Sequence, residues 1–263
     1  MLPCHRMPRL LALHGFGGTF GALAPRDLAR LAAPMGAKEI ICLIAPNRHA
    51  SGIPAWFSGD QSPAGRYNGW SLTEQRWAEL AESTACATGR RPPPLVPEDL
   101  PPADPWADWS DEGFHESWRC LEEEWRRGNY DGLIGFSQGA LMSVLFTQLL
   151  SKRRDTAGEA ASPPKLLILC GGFAAPSPPA CRGAWPPRER LKVPSFHLWG
   201  RDDPIVANLR SRELADLFHQ PCFYEHQLVA PNDHKLGSHT FPWPDGDTEA
   251  FKALRSFMVT RPT

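Results

Sequence analysis

The sequence predicts a doubly wound α/β fold, a mostly parallel sheet with helices on both faces. Three observations lead there. Short apolar runs of strand length recur along the chain, at residues 10–14, 39–45 and 165–170 among others. Segments with apolar residues at helical spacing separate them. Two of the runs end directly in glycine turns, His14-Gly15-Phe16-Gly17 and Gly135-Phe136-Ser137-Gln138-Gly139, as strands do when they feed crossovers to parallel neighbours.

Taken in order, residues 10–14 form a buried strand that enters a glycine loop. Leu23, Leu28 and Leu31 place a helix over 22–33, and residues 39–45 (EIICLIA) make a second buried strand. Residues 47–111 interrupt this rhythm as an inserted cap or loop region, with several tryptophans and seven prolines in residues 92–105. A helix is expected within it near 73–82. Another runs over about 111–127, with Ser110 or Asp111 as N-cap. Residues 131–135 are a strand, 140–150 a strongly apolar helix, and 151–164 a polar surface loop. A strand over 165–170, a proline-rich loop over 176–187, a strand over 195–199, a helix over 208–218, a strand over 223–229 and a helix over 248–258 complete the chain. The whole, 1–263, reads as a single α/β domain.

Composition narrows the function classes. The chain has 263 residues, a net charge of -1, 28 prolines and ten tryptophans. So many prolines exclude a long-helix or coiled-coil architecture, and the balanced charge argues against a nucleic-acid protein working through a broad basic field. Seven cysteines, an odd number without CxxC spacing, several of them inside apolar runs, read as reduced thiols of a cytoplasmic protein. No apolar stretch reaches the roughly 18–20 residues that cross a bilayer. The first apolar run begins too early to follow a signal or transit peptide. No G-x-G-x-x-G or Walker A loop follows the first strand, so dinucleotide and phosphate binding are poor readings.

The chemistry lies in Gly135-Phe136-Ser137-Gln138-Gly139, a G-x-S-x-G pattern. A buried strand before it and an apolar helix after it are the setting of a nucleophile elbow, with Ser137 exposed on a sharp turn. A serine hydroxyl is a weak nucleophile and needs a base held by an acid, which in this setting follow in the order Ser, Asp or Glu, His. Arg201-Asp202-Asp203-Pro204-Ile205-Val206 follows the strand at 195–199. Placement at the loop tip favours Asp203, with Asp202 as the alternative that caps the turn. His234 and His239 both lie in the loop after the last strand, and spacing alone barely separates them; His226 falls within that strand as a structural side chain. The oxyanion would be held by two N–H groups, that of Gln138 and one from the loop after the first strand, Phe16 with Gly17 close behind.

These pieces resemble the FSH family of serine hydrolases, a branch of the α/β-hydrolase superfamily, over nearly the whole chain. The segment from Tyr130 through Ala140 is similar to the family's D-G-h-h-G-F-S-Q-G-A block, with h a hydrophobic residue, and Leu13-His14-Gly15-Phe16 to its opening L-H-G-F. Pro194-Ser195-Phe196-His197-Leu198-Trp199-Gly200 with Asp203 resembles P-S-x-H-h-h-G-x-x-D. Gly237-Ser238-His239-Thr240-Phe241-Pro242 resembles G-G-H-x-x-P, which assigns the base to His239. The sequence departs from the family in its Gly17-Gly18-Thr19 loop, where a polar residue is usual, in Ser238 for a glycine, and in the run at 92–105.

The resemblance implies an α/β-hydrolase fold and a carboxylic-ester hydrolase with the triad Ser137, Asp203 and His239, without metal or organic cofactor. Its substrate would be a small-molecule ester of medium to long acyl chain, or a thioester on a carrier protein or coenzyme A. Arg66-Tyr67-Asn68-Gly69-Trp70 resembles a segment at the family's pocket mouth, which makes Trp70 a substrate-binding candidate. The resemblance implies neither a nucleic-acid nor an integral membrane partner. A different class of reading is a non-catalytic interaction protein, with Pro92-Pro93-Pro94-Leu95 as a polyproline ligand for an aromatic groove.

Overall fold

The computed structural model describes residues 6–21, 23–48, 54–56, 113–157, 162–174, 187, 189–203, 205–206, 208–227, 239–241 and 248–260. Six strands form one parallel sheet: β1 (Arg9–Leu13), β2 (Glu39–Leu43), β5 (Gly132–Phe136), β6 (Leu166–Cys170), β7 (Ser195–Gly200) and β8 (Cys222–His226), in the order β2-β1-β5-β6-β7-β8. β3 (Asn47–Arg48) and β4 (Pro54–Ala55) make a separate antiparallel pair. The helices are α1 (Pro25–Ala29), α2 (Ala32–Met35), α3 (Phe114–Gly128), α4 (Gln138–Ala157), α5 (Asn208–Ala215) and α6 (Thr248–Thr260).

Side-chain alternation along the strands builds two cores. Leu11, Leu13, Leu133, Leu167 and Leu169 face one way, where Trp118, Leu121, Leu141, Leu145 and Leu214 of α3, α4 and α5 cover them. Leu10, Ala12, Ile134, Phe136, Ile168 and Leu198 face the other way, under Leu28, Met35, Phe251 and Leu254 of α1, α2 and α6. Both faces of each central strand are therefore dry, which is why these strands are continuous apolar runs rather than alternating ones. Asp131, just before β5, ties three strands together: its carboxylate accepts the Arg9 N–H at 3.0 Å and the Lys165 ammonium at 2.8 Å.

The chain first runs outward from β1 to β2, then returns to the other side of β1 at β5. The order reverses there, and the carboxyl ends of β1 and β5 flank this switch point, the place where open α/β sheets bind ligands. Both glycine turns follow these two strand ends.

Some expected boundaries differ. The helix over 22–33 is two short pieces, because Pro34 has no N–H to continue a helical ladder through this stretch. The helix expected over 111–127 starts at Phe114, after Gly113 in a left-handed conformation; Ser110 and Asp111 lie outside the described residues. Residues 151–157 are helical, not loop. The hydroxyls of Ser143, Thr147 and Ser151 along the same helix bond to carbonyls four residues back. The strand over 223–229 ends at His226, and the helix over 208–218 ends at Ala215. The helix at 73–82, both proline-rich loops and most of the insertion lie outside the described residues. Among the described residues, Cys42, Cys120, Cys170 and Cys222 are free thiols, and no helix is long and apolar enough to cross a membrane.

Candidate active site

Ser137 follows β5 directly and stands at φ 51, in the left-handed region that ordinary side chains avoid. Its N–H donates to Cys170 O at 2.9 Å, and α4 begins at the next residue. The flanking glycines are sterically required. A Cβ on Gly139 would lie 2.1 Å from Leu13 O, so only glycine lets α4 pass this close to the end of β1. A strained residue held between a buried strand and a buried helix is the geometry that presents a hydroxyl at a sheet edge.

His239 and Asp203 meet across the end of the sheet. His239 Nδ1 donates to Asp203 Oδ2 at 2.7 Å, and both side chains are buried. Asp203 Oδ1 accepts the N–H groups of Ile205 and Val206, each at 2.8 Å. The carboxylate is thus fully engaged and oriented, and with Nδ1 as donor, Nε2 is the basic nitrogen of His239. Asp202 is exposed. The His239 ring packs against Phe136, the neighbour of Ser137, with centroids 4.7 Å apart. Gly171, at φ 54, lies so close that a Cβ there would be 2.8 Å from His239 Cε1. The thiol of Cys170 donates to Thr240 O at 3.4 Å and anchors the same segment. His234 and Trp70 lie outside the described residues, so the choice of Trp70 as a substrate contact rests on the sequence. His226 is buried at the end of β8.

The loop after β1 is organised by His14. Its Nε2 accepts the Ala45 N–H at 2.9 Å, so its Nδ1 carries the proton and donates to Gly15 O at 2.6 Å. Burial holds this imidazole below its ordinary pKa, with the charge of Arg48 adding to the effect, and the ring is neutral. Gly17 N–H donates to Pro54 O at 3.1 Å. Phe16 is 49% exposed.

Sequence reasoning missed Trp56, which is 0% exposed and makes polar contacts on every side. Its N–H donates to Gln138 Oε1 at 2.8 Å, and its indole N–H donates to His14 O at 2.8 Å. Its carbonyl accepts from Asn47 Nδ2 at 3.2 Å and from the Ser117 hydroxyl. No pattern around Trp56 signals this, because its partners lie 9 to 82 positions away.

A family profile described as serine hydrolase (FSH1) matches residues 4–235. The chain is 34% identical over 131 residues to an esterase of Drosophila melanogaster, a match covering 49% of this chain and 41% of that protein. It is 26% identical over 228 residues to the human esterase OVCA2, covering 82% of this chain and 86% of that one. Among solved structures, that of YahD with malic acid is 17% identical with a TM-score of 0.55, covering 98% of this chain and 96% of the other; the likeness is one of fold, the α/β-hydrolase type.

Proposed function

Since the chain belongs to the serine hydrolase (FSH1) family, we propose that it is a carboxylic-ester hydrolase, acting on small-molecule esters of medium to long acyl chain through Ser137, His239 and Asp203. The observation that carries this reading is the buried 2.7 Å hydrogen bond from His239 Nδ1 to Asp203 Oδ2, at the sheet edge where Ser137 stands. We further read residues 1–263 as one hydrolase domain, with 47–111 as its insertion.

In this reading His239 Nε2 takes the Ser137 hydroxyl proton as Oγ attacks the acyl carbon. The N–H groups of Phe16 and Gln138 hold the oxyanion that forms. The Gly17 N–H, the second choice for this role, is engaged by Pro54 O. The first turn of α4 adds a favourable dipole beside the developing charge. As the C–O bond breaks, His239 returns the proton to the leaving alcohol. Water then enters, gives a proton to His239 and attacks the acyl carbon. The carboxylic acid departs as Ser137 recovers its proton. Asp203 holds the ring and stabilises the imidazolium. None of these steps uses a metal or an organic cofactor.

A fluorophosphonate probe tests the reading: it should label Ser137 alone, and Ser137→Ala should abolish both labelling and ester turnover. A folded protein that neither labels nor turns over p-nitrophenyl esters would overturn it.

A further inference from the structure

We propose that Trp56 is a positioning residue for ester hydrolysis, holding in register the two loops that supply the oxyanion donors. The inference rests on the serine-hydrolase reading above. The donors Phe16 N–H and Gln138 N–H come from different parts of the chain, after β1 and after β5. Both are useful only if they point at one atom.

Residues 54–56 touch each of these loops. Pro54 O accepts the Gly17 N–H at 3.1 Å. The Trp56 indole N–H holds His14 O at 2.8 Å, and its main-chain N–H holds the Gln138 side chain at 2.8 Å. On the β1 side the consequence is geometric. A peptide unit is planar and trans, so its C=O and N–H point in opposite directions. Gly15 O and Phe16 N–H belong to one such unit, and His14 Nδ1–H takes the Gly15 oxygen at 2.6 Å. The Gly15 oxygen also accepts the Gly18 N–H at 3.2 Å, so the direction of Phe16 N–H is set by that turn together with His14, whose carbonyl is held by the Trp56 indole N–H and whose ring lies 5.2 Å from the indole.

Trp56 is itself tied down from behind. Its carbonyl is held by Asn47 and Ser117, and Asn47 Nδ2 reaches Gly113 O at 2.7 Å. Of these bonds only the one from the indole N–H to His14 O needs a tryptophan side chain; phenylalanine would fill most of the same space without it. The polar contacts are what couple the two donor loops.

The test compares wild type, Trp56→Phe, Gln138→Met and the double variant on a p-nitrophenyl ester. It also measures inhibition by an alkyl trifluoromethyl ketone, which adds the serine oxygen to its carbonyl and leaves an oxyanion. Trp56→Phe should lower kcat by about 10- to 100-fold, a fraction of what loss of a whole donor costs, with KM within about twofold. The inhibition constant of the ketone should rise by a similar factor, while binding of the product carboxylate stays unchanged. The losses in the double variant should fall short of the product of the single losses, because both act through one bridge. Gln138→Met keeps the test alive if Trp56→Phe does not fold. Wild-type kcat and ketone inhibition in the folded variants would overturn the inference alone. A wild-type protein that neither hydrolyses the ester nor binds the ketone would overturn the underlying reading as well.

Discussion

The His239 imidazole and the Asp203 carboxylate are bound to each other at 2.7 Å in a site from which water is largely excluded. Two main-chain N–H groups occupy the other carboxylate oxygen. A buried charge this well bonded has one orientation, and it imposes one tautomer on the ring.

Asp203→Asn should therefore lower kcat by about 10,000-fold, because an amide can present its N–H to Nδ1 and turn the tautomer round. Asp202→Asn should leave the rate unchanged, since Asp202 is exposed. Steady-state kinetics on p-nitrophenyl esters checks both; the reverse result would move the acid to Asp202.

Gly171 makes a second, steric prediction. Alanine there meets both a positive φ and the His239 ring. Gly171→Ala should cost about 1–2 kcal/mol of stability from the backbone conformation. It should also cost on the order of 100-fold in kcat from displacement of the base. Chemical denaturation and kinetics on the same preparation separate the two effects. An active Gly171→Ala protein would show that His239 need not sit where Gly171 lets it.

Phe16 and Ile205 lead from the ends of β1 and β7 and expose 49% and 50% of their surfaces. Large apolar side chains exposed in the loops that carry the proposed oxyanion donor and acid fit an acyl chain that covers them. Across esters of increasing acyl length, Phe16→Ala and Ile205→Ser should each reduce kcat/KM for long chains by roughly tenfold, the worth of burying such a side chain, and leave acetyl esters nearly untouched. Equal losses at all lengths would remove these residues from the acyl path. Matched thioesters in the same series decide the alternative substrate class: faster turnover of the sulfur esters would place thioester release ahead.

His197 predicts a pH dependence of stability. It is fully buried in β7 beside Ser195 and Phe218, and burial lowers its pKa to about 3. Above pH 6.5 the ring is neutral both folded and unfolded, and its contribution is intact. As pH falls from 6.5 towards 3, only the unfolded chain takes up the proton, and folding loses up to ~1.4 kcal/mol per pH unit. His197→Gln should flatten the fall of Tm over that window relative to wild type. An unchanged slope would mean that the buried ring does not titrate as its surroundings require.

Most of the sheet was legible in the sequence. Strands buried on both faces leave continuous apolar runs, and helices beside them keep their spacing. The boundaries slipped where local signals competed. Pro34 divides a helix that Leu23, Leu28 and Leu31 suggest is continuous. The polar run after Ser151 continues the helix to Ala157, because the straight Lys and Arg side chains that open it lose little rotamer freedom in a helix.

Within the candidate site, the elbow around Ser137 was legible because a strained turn between strand and helix demands glycines at fixed offsets. Local sequence also favoured Asp203 over Asp202 by its place at the loop tip, and the family resemblance singled out His239. The rest was settled only in three dimensions. The pairing of Asp203 with His239 joins residues 36 positions apart, and the bridge from Trp56 to Gln138 spans 82. Sequence periodicity records which face of an element is buried. It does not record which polar atoms converge once the ends of separate strands are brought together, and the pairing and the bridge both depend on that convergence.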